Sequence, residues 1–160
     1  MERKILELLE DNCNLSSEQI ALMLGTDVKT VEDMVCDLKK RGVLLKNKSV
    51  INWEKTDKEF VTAMIELKVT PQRGEGFDKI AERIYQYPEV QSLYLMAGTF
   101  DLMVIIEGRT MKEVALFVSN KLAPMESVLS TATHFVLKKY KDENVVFENH
   151  IEDDRQVITL

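Results

Sequence analysis

The sequence predicts an α+β chain, an N-terminal winged helix-turn-helix followed by a ferredoxin-like βαββαβ domain. Three observations predict it. Apolar residues step by three and four through residues 2–41, interrupted by helix stop and start signals at Gly25 and Thr26. From Phe60 the apolar period shortens towards two. Further on, two β-favouring runs, Leu93–Met96 and Leu102–Ile106, flank Gly98–Asp101. That is a hairpin pattern, and Gly98 is expected to take positive φ in its connection. The domains expected are 1–53, a polar linker at 54–59 (EKTDKE), and 60–160.

A chain of 160 residues with 45% hydrophobic and 30% charged residues has the make-up of an ordinary soluble globular protein of one or two small domains. No run of about 18 apolar residues occurs, so no membrane span is expected. The start, MERKILELLEDN, is acidic and lacks a small-residue cleavage site, which argues against a signal peptide and for the cytoplasm. Cys13 and Cys36 are expected as reduced thiols rather than a disulfide. No Cys/His spacing matches a zinc site, and neither metal nor cofactor is expected. Net charge is −6. Residues 1–55 hold nine Lys/Arg and ten Asp/Glu, and residues 56–160 twelve and seventeen, so the acidic surplus lies in the second part. The basic cluster Lys39, Lys40, Arg41, Lys46 and Lys48 is a weak electrostatic footprint for nucleic acid.

Ile5, Leu8 and Leu9 give the first helix one apolar stripe. Ser16 and Gln19 make a capping box for the second, whose stripe is Ile20, Ala21, Met23 and Leu24 and whose stop is Gly25. Thr26 is expected to cap the third helix, Asp27–Arg41, which carries Val28, Val31, Val35 and Leu38 along one face. Val43–Lys46 and Ser49–Trp53 then read as the hairpin wing. In the second domain, strands are expected at 60–69, 90–97, 100–107 and 128–138. A helix should follow the Pro71–Gly76 loop and end near Tyr87-Pro88. Another, capped by Thr110, should end at Pro124. The tail, Tyr140–Leu160, is read as an edge strand or an arm to another subunit.

Two sites stand out. Asp101 lies at the mouth of a buried strand, where a carboxylate needs a partner, either a ligand ammonium or a backbone N–H. And a four-stranded sheet with both helices on one side leaves the other side bare. Leu93, Leu95, Val104, Ile106 and Phe135 are expected to crowd onto that bare face. Burying about 600 Å2 of it is worth on the order of 15 kcal/mol before association costs, so pairing is expected.

Over its whole length the sequence resembles the Lrp/AsnC family of transcription regulators. The residues carrying the N-terminal likeness are Leu15-Ser16, Thr30-Val31, Leu38 and Arg41–Leu44. Tyr94–Asp101, the helix end Phe117-Val118 to Leu122, and Thr131–Val136 resemble the family's amino-acid-sensing (RAM) domain. Gly-x-x-Asp about 30 residues before Thr-x-Thr, behind a helix-turn-helix, is a specific pattern.

The resemblance implies binding to double-stranded DNA, pairing through the sheets into a homodimer and up to an octamer of four dimers, and an amino-acid effector at sensor interfaces. Carried onto this sequence, the effector residues are Gly98, Thr99, Asp101, Thr131 and Thr133, with His134 nearby. The N–H groups of Gly98 and Thr99 suit an α-carboxylate, and Asp101 suits an α-ammonium. Thr131 and Thr133, two apart, face one side of the sheet. The DNA-facing residues are Ser16, Lys29, Thr30, Lys39, Lys46 and Lys48. In one respect the sequence departs from the family. After Thr30-Val31, where arginines are usual, it has Glu32, Asp33, Met34 and Asp37, and carboxylates repel phosphates. A second reading is therefore an effector-sensing assembly module with weakened or lost DNA binding. A third, an enzyme using Asp101 and His134 as acid and base, is disfavoured by the lack of a nucleophile, metal set or phosphate loop beside them.

Overall fold

The computed structural model describes residues 1–71 and 76–147, which fall into two compact units divided between Ile51 and Asn52. Most of the expected Pro71–Gly76 loop and the end of the tail, with Val157–Leu160, lie outside the described residues.

The first unit is three helices, α1 (Glu2–Asp11), α2 (Ser17–Leu24) and α3 (Val28–Lys40). Ile5, Ile20, Ala21 and Val31 close its core, with Leu8, Leu24, Val28 and Val35 packed around them. The capping box forms as expected. Ser16 Oγ accepts from Gln19 N–H at 3.3 Å, and Gln19 Oε1 accepts from Ser16 N–H at 2.9 Å. Gly25 ends α2 in the left-handed region at φ 64°. Three expectations fail here. The cap of α3 is Asp27, not Thr26, because the Asp27 carboxylate reaches Thr30 N–H at 2.8 Å. Met23 is 59% exposed rather than part of the stripe. The wing hairpin is absent, since no strand forms between 43 and 52. A two-stranded ribbon with no sheet to lie on is marginal, and Leu45 stays 85% exposed.

The second unit is a four-stranded antiparallel sheet, β1 (Val61–Val69), β2 (Val90–Leu95), β3 (Leu102–Gly108) and β4 (Val128–Phe135), in the order β2-β3-β1-β4. Helix α4 (Asp78–Tyr85) links β1 to β2. Helix α5 (Met111–Phe117) and a wider helical turn, Val118–Leu122, link β3 to β4. Thr110 Oγ1 caps α5, accepting from Glu113 N–H at 3.1 Å. This is the βαββαβ arrangement that the pattern predicts.

Strand alternation sets two rows on the sheet. One row, Ala63, Ile65, Leu67 and Val69 on β1 with Leu102, Val104 and Ile106 on β3, is buried with Ile80, Ile84, Val114 and Leu122 of the helical layer. The other carries Met64, Glu66 and Lys68 on β1, paired with His134, Ala132 and Ser130 of β4, and Met103 and Ile105 on β3, paired with Tyr94 and Ser92 of β2. The expected bare-face residues are therefore on the wrong side. Val104 and Ile106 are fully buried, and Leu93 and Phe135 pack against the same core. Leu95, on the same row, borders a groove with α4. The physical reason is that Leu102–Ile106 is apolar on every residue, so alternation cannot say which row the helices cover.

Beyond β4, Lys141–Asp142 (β5) pairs with Val145–Val146 (β6) across Glu143 and Asn144, both left-handed at φ 46° and 62°. This stretch of the tail makes its own small hairpin and does not extend the main sheet.

Candidate functional site

The loop 96–101 joins β2 to β3 and is held at its C-terminal end by Asp101. The Asp101 N–H donates to the Leu67 carbonyl at 2.9 Å, and its carbonyl accepts from Met96 N–H at 2.8 Å. Its carboxylate Oδ2 accepts from Val69 N–H at 2.8 Å. Of the two partners open to this carboxylate, the backbone N–H is realised. It takes up a β1 donor just where the β1–β4 register shifts, between Lys68 and Val69. Gly98 does not take positive φ; Gly25, Gly42 and Gly76 do. A six-residue connection is long enough to turn without it, and a Cβ at Gly98 would meet nothing within 4 Å.

Thr131 is the β4 partner of Leu67, the same residue whose carbonyl holds the Asp101 N–H. Leu67 therefore links the two: its carbonyl accepts from Asp101, the residue just before its β3 partner Leu102, and Thr131 is opposite it on β4. Thr133, opposite Ile65, lies one pleat further along the same row. His134 falls on the other face. Its Nε2 is 3.2 Å from Glu66 Oε1, with both side chains partly exposed. Sequence reasoning missed Glu66, although a carboxylate inside an apolar strand was a signal of a cross-strand partner. It also missed the groove of about 460 Å3 between α4 and β2, which reaches the 96–101 loop through Leu95 and Leu102 and carries one carboxylate, Asp78.

Lys29, Lys39, Lys46 and Lys48 are exposed. The Ser16 hydroxyl is occupied in its capping box, and the Thr30 hydroxyl donates to Asp27 Oδ2 at 2.6 Å. That bond from Thr30, with the one from its backbone N–H, holds the Asp27 carboxyl below the usual carboxylate range. Arg41 is engaged by acids, with Nη2 2.7 Å from Glu2 Oε1 and Nε 2.9 Å from Asp37 Oδ2. Glu32 and Asp33 are exposed on α3.

A three-helix unit and a βαββαβ sheet covered by helices on one side define a two-part α+β chain. The family model described as the Lrp/AsnC ligand binding domain matches residues 62–146. The chain belongs to the Lrp/AsnC family of transcriptional regulators, which are not enzymes. It is 49% identical over 159 residues to the uncharacterized HTH-type transcriptional regulator YugG of Bacillus subtilis (strain 168), covering 99% of this chain and 96% of that one. It is 26% identical to the HTH-type transcriptional regulator FL11 of Pyrococcus furiosus, covering 89% and 91%. In fold it is similar to the transcriptional regulator NMB0573 of Neisseria meningitidis in complex with L-Met, with a TM-score of 0.71, 20% identity, and 88% and 90% of the two chains covered. Escherichia coli AsnC is similar too, with a TM-score of 0.67, 18% identity, and 86% and 91% covered. Among the described residues, no helix is long and apolar enough to cross a membrane and no acidic, His or Cys cluster suits a metal.

Proposed function

We propose that the chain is a cytoplasmic regulator that binds double-stranded DNA through its three-helix unit and senses an amino acid at the rim of its sheet. Residues 1–53 act as the DNA-reading helix-turn-helix, and residues 60–160 bind the effector and pair subunits into a homodimer and up to an octamer of four dimers. The observation that supports this reading is that Leu67 accepts from the Asp101 N–H through its carbonyl and pairs with Thr131 on β4. Asp101 has a second carboxylate oxygen to offer an ammonium while Val69 N–H holds the first in place. Gly98 and Thr99 offer N–H donors to a carboxylate. Neither φ nor crowding demands glycine at 98, so its missing side chain serves to leave those donors open. Thr131 and Thr133 line the neighbouring strand, and His134, on the face proposed to meet a second sheet, lies beside the seam. The L-Met complex of the Neisseria meningitidis relative supports an amino acid as the ligand class.

Lys29, Lys39, Lys46 and Lys48, with Ser16 and Thr30 at the helix starts, supply the DNA contacts. Few phosphates are neutralised per subunit, and affinity comes from several subunits engaging at once. The second reading, an assembly module with weakened or lost DNA binding, is favoured by one observation. Arg41 is taken up by Glu2 and Asp37, while Glu32 and Asp33 face solvent on α3.

Calorimetry of the full-length protein against each standard amino acid tests the sensor. At least one should bind, and Asp101→Asn should weaken it about tenfold or more by removing the charge. Silence across the set overturns the effector site. A low-salt gel shift with the gene's own upstream region decides between regulator and module.

A further inference from the structure

Composition marks residues 54–59 as a polar linker or the end of the wing. In the structure these residues are tied down instead. Asn52 caps a turn at Trp53–Lys55, its side chain accepting from Glu54 N–H at 3.2 Å. Thr56 closes the turn. Its N–H and Oγ1 both donate to the Trp53 carbonyl, at 3.0 and 2.8 Å. The same Oγ1 accepts from Lys58 N–H at 3.2 Å. Lys58 then folds back, its Nζ 4.0 Å from the centre of the Trp53 ring and 5.6 Å from that of Phe60. Phe60 directly precedes β1, so a cation on two aromatic faces ties this segment to the root of the sheet's central strand.

The stretch just upstream is the opposite. Residues 45–51 form neither helix nor strand. Among the described residues they make one hydrogen bond, the long 3.4 Å contact from Asn47 Nδ2 to the Cys13 carbonyl. Leu45, Val50 and Ile51 are exposed. The division between the two compact units falls at the end of this stretch, between Ile51 and Asn52.

We propose that residues 52–60 are a clasp belonging to the sensor unit, latched by Lys58 against Trp53 and Phe60, so that the stretch open to cleavage lies upstream of it, at 45–51. A displacement at the root of β1 is then carried as far as Asn52 without being lost in the polar segment. This goes beyond the proposed function and holds whether or not the ligand is an amino acid.

Trp53 is the chain's single tryptophan, so its fluorescence in the full-length protein reads the clasp. Lys58→Met keeps a stem of similar length without the charge, and Lys58→Arg keeps the charge. Acrylamide, which is neutral, should quench Lys58→Met about two- to threefold more readily than wild type, with Lys58→Arg close to wild type. Limited trypsin should cut wild type first after Lys46 and Lys48, with Lys55 lasting about tenfold longer, and in Lys58→Met Lys55 should lose that protection. Equal quenching of wild type and Lys58→Met, or cleavage of wild type at Lys55 as fast as at Lys46, overturns the clasp. Should Lys58→Met lose its circular dichroism signal, the order of cleavage in wild type decides alone.

Discussion

Ile65 and Met64 are neighbours on β1, yet Ile65 has no exposed surface and Met64 is 36% exposed. The contrast runs across the whole sheet. The row with Ile65 is apolar along β1 and β3, meets Thr131 and Thr133 on β4, and is closed by two helices. The row with Met64 mixes Ile105, Met103 and Tyr94 with Glu66, Lys68 and His134. The first face has the composition of a core. The second mixes polar with apolar side chains, the His134–Glu66 contact lying among methionines and an isoleucine. Packing stability rests mainly on the first face.

Substitution should separate them. Ile65→Ala leaves a cavity between sheet and helices and should cost about 3 kcal/mol in urea unfolding. Ile105→Ala, on the other row, should cost a single subunit about 1 kcal/mol or less and act mainly on assembly, read by sedimentation. Equal losses at the two positions would erase the contrast.

At the rim, where the two rows end, Asp101 sharpens it. Asp101→Ala strands the Val69 N–H and should cost about 1–2 kcal/mol, while Asp101→Asn, which can still accept, should unfold within about 0.5 kcal/mol of wild type.

The smallest effect lies behind the helix-covered face. Glu89 Oε1 is 2.6 Å from Lys121 Nζ, which also lies over the edge-to-face rings of Tyr87 and Phe117. The hydrogen bond from Lys121 holds the Glu89 carboxyl below its ordinary value, with burial opposing it. A carboxyl lowered by folding contributes its stability above its unfolded value, about 4.3, and loses it as pH falls through the lower folded value. Both groups are about a third exposed, so the contribution is small. In Lys121→Met the acid side of the stability profile should flatten slightly, as thermal melts between pH 3 and 6 can measure.

Much of this was legible in the residues themselves. Ser16 with Gln19, Gly25, and Thr110 are local signals, each acting within four residues, and each does in the structure what its chemistry requires. The order of strands and helices follows from the change of period at Phe60. What the sequence hid lies in longer-range pairing. The partner of Asp101 is 32 residues away at Val69, and that of His134 sits across the sheet at Glu66. The side covered by helices was hidden because β3 is apolar in every position from Leu102 to Ile106. The wing misled because Val43–Trp53 has the right residues for a ribbon but nothing to pack against. For the loop, Gly98 suggested a strained bend that a longer connection makes unnecessary.

Under the proposed pairing, a newly synthesised copy waits in water until it meets another. With Glu66, Lys68 and His134 set among its methionines, the unshielded side of the sheet can do so without clumping with strangers. The same polarity keeps the grip between copies modest under the proposed pairing. Subunits would then exchange readily, and the assembled fraction would follow how much protein the cell holds, within reach of a small molecule adding a few contacts at the rim.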